Sequence, residues 1–360
     1  MTRDTATFRE IRVLVVDDSA FMRTALSRMI SSEPGFDVAG TACTGSEALA
    51  KISALDPDVV TLDVEMPGLD GLQTLRCIMA QSPRPVIMVS AATEKDAETT
   101  FDALSAGAFD YIPKHLSATS LDILHIRQDL LAKIKSAAQS RIASTPPSRK
   151  PPQPASLTHR LAETTVPAIV ALGTSTGGPK ALQEILPLFP VDLAVPILIV
   201  QHMPRGFTAP FARRLNTLSR ILVREATHGE TIQSGVAYIA PAGTHMTVEN
   251  RSDSRATISL DAEATNCAHI PSVDVMMLSV AKAFRNRAIG VILTGMGSDG
   301  AEGMKAIFRA GGLTLGQDEA DCTVYGMPRV CAEAGILTRV VPLLQVPAQI
   351  LQATRYRRHA

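Results

Sequence analysis

The chain has no tryptophan, and aromatic residues make up only 4% of its 360 positions. A platform for stacking single-stranded bases needs exposed aromatics, and none is evident. Net charge is also missing, since 35 Lys and Arg balance 35 Asp and Glu. No overall field draws the protein to nucleic acid, and no basic recognition helix stands out. No apolar run is long enough to cross a bilayer, and Met1 to Arg12 lack the apolar core of a signal peptide. The five cysteines (Cys43, Cys77, Cys267, Cys322 and Cys331) are never spaced C-x-x-C. That argues against zinc and against a disulfide frame. It predicts reduced, buried thiols in a cytoplasmic protein with no membrane insertion.

What the sequence does have is length for two domains and a repeated alternation of apolar runs with amphipathic stretches. Ile11 to Val16 is an almost continuous apolar run that ends in Asp17 and Asp18. Helical spacing follows at Phe21, Met22, Ala25, Leu26, Met29 and Ile30. Further strands are predicted near Asp37–Ala42, Val59–Asp63, Pro85–Ser90 and Phe109–Pro113. Five such strands imply a doubly wound, flavodoxin-like parallel sheet with its chemistry at the strand carboxyl ends. Those ends carry Asp17, Asp18, Asp63, Ser90 and Lys114. Three carboxylates in one crevice repel each other unless a hard cation binds them, and Mg²⁺ suits few carboxylates plus water.

This half resembles the receiver domain of two-component response regulators, from about Ile11 to Leu131. Asp17-Asp18-Ser19 matches the acidic pair, Asp63-Val-Glu-Met-Pro67 the phosphoacceptor loop, Ser90-Ala91 the switch hydroxyl and Pro113-Lys114 the lysine. The resemblance implies that Asp63 takes a phosphoryl group from a histidine kinase. It implies Mg²⁺ held by Asp18, Asp63 and the backbone carbonyl of Glu65, with Asp17 in the outer shell. Lys114 would pair with the new charge and Ser90 would swing to hydrogen-bond it. A helix is predicted from about Ser117 to Ser140. The Pro-rich run Ser144 to Pro154 then reads as an extended tether. The resulting division is a receiver over 1–138, a linker over 139–164 and an output domain over 165–360.

The output half opens on Ile169-Val-Ala-Leu-Gly-Thr-Ser-Thr-Gly-Gly-Pro-Lys180, a buried strand running through a Gly, Ser and Thr cluster into a helix. Gly173-Thr-Ser-Thr-Gly177 fits G-x-S-x-G. Unpaired N–H groups on such a turn suit a phosphate or the oxyanion of acyl transfer. A nucleophile, a phosphate cradle and a plain tight turn are all compatible with it. A second apolar strand, Val195 to Gln201, ends at His202. A third, Ala288–Leu293, runs into Thr294-Gly-Met-Gly-Ser-Asp-Gly300. Helices are predicted at Gly206–Leu218, Ser272–Phe284 and Ala301–Arg309, and the stretch Leu222–Leu260 reads as shorter strands and hairpins.

Three strand ends therefore carry Ser175, His202 and Asp299, the types needed for nucleophile, general base and orienting acid. Each has a plainer reading: a tight turn, a strand-end histidine bonded to backbone, or an aspartate capping its helix. His228, His245 and His269 are rival bases, none so cleanly placed. Together the three coincidences favour catalysis.

Gly173–Gly178, Gln201-His-Met-Pro204, Pro271-Ser-Val-Asp274 and Thr294–Gly300 resemble the motifs of the CheB family of chemotaxis methylesterases, from about Pro167 to Val340. That resemblance implies a larger α/β domain with a mainly parallel sheet and an antiparallel hairpin region. It implies Ser175 as nucleophile, His202 as general base, Asp299 as orienting acid and the Met296 N–H as oxyanion donor, with no cofactor for the esterase step. The implied substrates are glutamate γ-methyl esters, and also glutamines for deamidation, on the cytoplasmic helices of methyl-accepting chemoreceptors. The family usually places an arginine before Pro-Ser-Val-Asp, whereas this chain has Cys267-Ala-His-Ile270, so receptor grip is expected to differ. The C-terminal Arg355, Arg357 and Arg358 read as a solvated tail. A receiver tethered to a hydrolase predicts gating: the unphosphorylated receiver packs over the cleft at Ser175 and phosphorylation of Asp63 weakens that packing. The competing reading is a response regulator whose output half only binds a partner or a phosphate ligand.

Overall fold

The computed structural model describes residues 9–91, 94–114, 120–140, 168–250, 256–262 and 267–354. The predicted tether and the three C-terminal arginines lie outside them. Contacts divide the chain into two units, 1–142 and 143–360.

In the first unit, β1 (Ile11–Val16), β2 (Phe36–Ala42), β3 (Val59–Asp63), β4 (Val86–Ser90) and β5 (Asp110–Pro113) alternate with five helices. These are α1 (Ala20–Ser31), α2 (Gly45–Leu55), α3 (Gly71–Gln81), α4 (Glu94–Ser105) and α5 (Ser120–Gln139). The sheet runs β2-β1-β3-β4-β5 and every pair is parallel. Helices on both faces explain why Val13 to Val16 and Val86 to Val89 are almost wholly buried and read as continuous apolar runs. Helix starts are capped locally: Ser19 accepts from the Met22 N–H, and Asp70 with Gln73 forms a capping box on α3.

The second unit begins with β6 (Ile169–Thr174), α6 (Gly178–Ile185), β7 (Ile197–Gln201), α7 (Thr208–Leu218), β8 (Leu222–Glu225) and β9 (Val236–Ile239). A hairpin of β10 (His245–Asn250) and β11 (Ala256–Asp261) leads to α8 (Val273–Phe284), β12 (Ala288–Ile292) and α9 (Ala301–Arg309). The described residues end with β13 (Leu313–Gln317), α10 (Met327–Glu333), β14 (Arg339–Val341) and α11 (Val346–Ala353). Seven strands form one parallel sheet, β14-β13-β12-β6-β7-β9-β8. Its central strands β6, β7 and β12 are buried throughout, each Val, Leu or Ile side chain contributing about 1.5–3 kcal/mol.

The expectation of strands and hairpins over Leu222–Leu260 holds only in part. The antiparallel pair is β10–β11, whose Met246, Val248 and Ile258 pack with Met276, Met277 and Val280 of α8. In contrast, β8 and β9 are parallel members of the main sheet. The return loop between them has no helix. Its backbone is satisfied by the hairpin instead, with Gly229 and Ile232 N–H donating to Ile258 and Ala256, and Ile258 N–H donating to Glu230. The cysteines also depart from expectation. All five are free thiols, but only Cys331 is buried and Cys43 is exposed.

In both sheets the chain starts in the interior, winds outward one way, then returns to wind the other. The reversal falls between β1 and β3 in the first unit and between β6 and β12 in the second. Such switch points open a crevice outside the strand carboxyl ends.

Candidate functional site

At the first crevice, Asp17 and Asp63 are buried while Asp18 is exposed, and carboxylate oxygens of the three lie within 4.8 Å of one another. Asp17 Oδ1 accepts from the Ser19 N–H at 2.9 Å, and Asp63 Oδ1 from the Glu65 N–H at 3.1 Å. Lys114 reaches in from the end of β5, its Nζ 2.6 Å from Asp63 Oδ2 and 3.1 Å from Asp17 Oδ2. One ammonium against three carboxylates leaves the crevice net negative. Burial, reinforced by the Asp17 charge, pushes the Asp63 carboxyl up to about 6 despite the Lys114 hydrogen bond. Burial pulls the Lys114 ammonium down, but its bond to Asp63 and the charges of Asp63 and Asp17 outweigh that, and it stays raised. A set of hard oxygen donors with unneutralised charge fits a hard divalent cation.

Ser90, at the end of β4, is fully buried but is not turned to Asp63. Its Oγ accepts from Thr100 Oγ1 of α4 at 2.8 Å and lies 3.1 Å from the Ala91 carbonyl oxygen, to which it donates. Sequence reasoning missed Thr100, which no strand end or motif marks.

At the second crevice, the register pairs Thr174 of β6 with Gln201 of β7. Ser175 and His202 are therefore the next residues on neighbouring parallel strands. The join is fixed by backbone: His202 N–H donates to the Thr174 carbonyl at 3.2 Å, and Ser175 N–H to the Thr294 carbonyl at 3.0 Å. Buried Gln201 holds both loops, its Nε2 donating to the carbonyls of Ser175 and His202 at 2.9 Å each.

Two glycines allow this closeness. Gly177 turns at φ 78° before α6, a left-handed conformation that side chains avoid. At Gly295 a Cβ would fall 2.8 Å from Ser175 Cβ, so only glycine lets the loop after β12 press on the serine. That loop carries Met296 and Asp299.

His202 Nε2 lies 2.8 Å from Asp299 Oδ2. An ionised carboxylate can only accept, so Nε2 carries the proton and Nδ1 presents a lone pair. Nδ1 is buried and without a hydrogen-bond partner among the described residues. The histidine side chain is only 9% exposed, and the His269 ring stacks on it with centroids 4.0 Å apart.

Asp299 is held from the other side by α8. Its Oδ1 accepts from Ser272 Oγ at 2.8 Å and the Asp274 N–H at 3.0 Å, and Oδ2 from the Val273 N–H at 2.7 Å. Burial acts to raise its pKa. The hydrogen bond and charge of His202 and the two backbone donors override that and hold the carboxyl well below the usual range. The plainer reading of Asp299 as cap of its own helix does not hold, because the N-cap of α9 is Gly300 and no side chain caps that helix. Two of the three rival histidines are engaged elsewhere, His245 Nδ1 accepting from the Ser272 N–H and His228 Nδ1 from the Leu260 N–H, while His269 is the ring stacked on His202. Ser272 was visible only as part of a motif; its link to Asp299 is made by folding.

The CheB methylesterase family matches residues 170–350, and the response regulator receiver domain matches residues 13–124. The chain is 44% identical to the protein-glutamate methylesterase/protein-glutamine glutaminase 1 of Oleidesulfovibrio alaskensis, over 95% of this chain and 99% of that protein. It is 45% identical to the protein of the same description, numbered 2, of Nitratidesulfovibrio vulgaris, over 95% of this chain and 98% of that one. Among solved structures, the Thermotoga maritima CheB methylesterase catalytic domain aligns with 52% of this chain and 99% of its own, at 36% identity and a TM-score of 0.51.

Proposed function

The chain belongs to the CheB methylesterase family, with a response-regulator receiver ahead of the esterase, and from that membership we propose how its residues divide the work. It is a phosphorylation-activated protein-glutamate methylesterase and protein-glutamine glutaminase. Its substrates are γ-methyl esters and selected glutamines on the cytoplasmic helices of chemoreceptors, and its phosphodonor is the histidine kinase of that pathway.

Ser175 is the nucleophile. As its Oγ adds to the γ-carbonyl carbon, His202 Nδ1 takes the hydroxyl proton and becomes an imidazolium that Asp299 stabilises. The carbonyl oxygen turns negative and meets the Met296 N–H. One such donor is worth about 3–4 kcal/mol of transition-state stabilisation. The Ser175 N–H is excluded from that role because Thr294 already accepts it. Collapse breaks the ester C–O bond, methanol leaves with the proton from His202, and the glutamyl group stays on Ser175. Water then gives its proton to His202 Nδ1 as it adds to the acyl carbon, and Ser175 departs reprotonated with free glutamate as product. With glutamine the first leaving group is ammonia. The observation that carries this reading is the chain of contacts from α8 through Asp299 to His202, whose Nδ1 is left without a hydrogen-bond partner among the described residues. Holding a phosphate ligand requires neither member of that pair, which disfavours the binding-only reading.

In the receiver, Asp63 attacks the phosphorus of a phosphohistidine, the N–P bond breaks, and Lys114 and Ser90 meet the new charge. Asp18, Asp63 and the Glu65 carbonyl would hold Mg²⁺, with Asp17 behind them. When bound, that ion neutralises charge on the transferring phosphoryl group. Until then the receiver restrains the esterase. Coupling of about 1–3 kcal/mol corresponds to roughly 5–150-fold activation.

The test is methanol release from methylated chemoreceptor membranes by the protein and by Ser175→Ala, with and without acetyl phosphate. Release that needs Ser175 and rises with the phosphodonor is expected. Release that needs Ser175 but ignores acetyl phosphate removes the gate, and no release from any cognate receptor removes the esterase.

A further inference from the structure

We infer that His269 is a positioning residue for the base. Its imidazole lies face to face on that of His202, with centroids 4.0 Å apart and planes 21° apart, and so fixes the plane of the ring whose Nδ1 is the proposed proton acceptor. The inference rests on His202 acting as the general base.

The need for such a residue follows from what holds His202. Its backbone is fixed by the Thr174 carbonyl and by Gln201 Nε2, and its ring by one hydrogen bond, Nε2 to Asp299. A ring held at Cα and at one nitrogen can still roll about the line joining them, changing the direction in which Nδ1 points. Nδ1 itself has no hydrogen-bond partner among the described residues to oppose that roll. A second ring on its face does oppose it.

The segment that supplies this ring is itself anchored on both sides. Gly243 N–H donates to the Ile270 carbonyl at 3.1 Å, and Ser272 Oγ donates to Asp299 at 2.8 Å. One short stretch, 269–274, therefore holds the acid of the pair through Ser272, Val273 and Asp274 and the ring of the base through His269. His269 is exposed while His202 beneath it is nearly covered, so it also keeps solvent off the base.

The experiment uses the full-length phosphorylated protein and the variants His269→Ala, His269→Phe and His202→Gln. Two rates are read: kcat and KM for methanol release from receptor membranes, and the labelling rate of Ser175 by a small fluorophosphonate that needs no receptor grip. For His269→Ala a fall of roughly 3–30-fold is expected in kcat and in labelling alike, with KM unchanged. His269→Phe, which keeps a ring in place, recovers most of both rates. If His269→Ala leaves kcat and labelling intact, or only raises KM, the residue grips substrate or does nothing and the inference falls. It falls equally if Phe is no better than Ala. Labelling that survives His202→Gln overturns the triad itself, a failure distinct from the other two.

Discussion

At the scale of the residue, Asp299 carries two loads that Ser175 does not. It orients His202 and it closes the start of α8 with three accepted hydrogen bonds. Asp299→Asn should lower kcat by about 10³–10⁴-fold through loss of the correct tautomer. It should also cost on the order of 2 kcal/mol in a thermal melt, because the amide cannot accept from every donor now facing the carboxylate. Ser175→Ala should abolish turnover and leave the melting temperature within about a degree. The pH dependence follows from sign. The folded carboxyl of Asp299 is depressed, so its contribution is complete above the unfolded value of about 4 and fades as pH falls toward the folded one. The stability gap between the protein and Asp299→Asn should therefore narrow below about pH 4.

Asp63 has the opposite sign. With its carboxyl raised to about 6, ionisation costs the metal-free receiver stability as pH climbs through that value. Mg²⁺ should offset the cost, so calorimetry should find the cation raising the receiver transition more at about pH 8 than at about pH 5. Asp63→Asn should reduce the increment. The types and positions of Ser175, His202, Asp299 and Asp63 were legible because each closes or follows a strongly apolar strand. Ser272, Gln201 and Thr100 were not, since each acts across a gap that only the fold closes.

At the scale of the element, α4 holds the Ser90 hydroxyl through Thr100, and the proposed switch requires that bond to break. Thr100→Val keeps the volume and removes the donor. Half-maximal activation by acetyl phosphate should shift to lower concentration by about 5-fold, the equivalent of one ordinary hydrogen bond. An unmoved midpoint would show that Ser90 is not the brake. The long, strongly periodic elements were read well from sequence, including the helices at Ser272–Phe284 and Ala301–Arg309. The parallel β8–β9 pairing was not legible within Leu222–Leu260, because a short, turn-rich connection between strands ordinarily makes a hairpin, as β10–β11 does. Here β11 satisfies the loop's backbone, and that partner lies more than twenty residues downstream of the loop's start.

At the scale of the whole molecule, two parallel sheets each place their polar residues at the point where winding reverses. Sequence showed which residues end strands but not that β12 returns to lie beside β6, which is what brings Asp299 to His202. The receiver and the residues up to 166 together make a testable unit of the proposed control. Removing residues 1–166 should raise receptor demethylation above that of the unphosphorylated full-length protein, by a factor within the roughly 5–150-fold range of ordinary coupling. An unchanged rate would mean that the receiver activates without first restraining.

The capping role of Asp299 also bears on how such a protein could lose its chemistry over evolutionary time. A lineage released from selection for ester hydrolysis could discard Ser175 freely and His202 at little structural expense. Asp299 would persist, because without it the Val273 and Asp274 N–H groups at the start of α8 lose their acceptor in a partly buried setting. Inactive descendants of this fold should therefore retain the aspartate as a fossil of the triad, and its presence alone would be a poor sign of living catalysis.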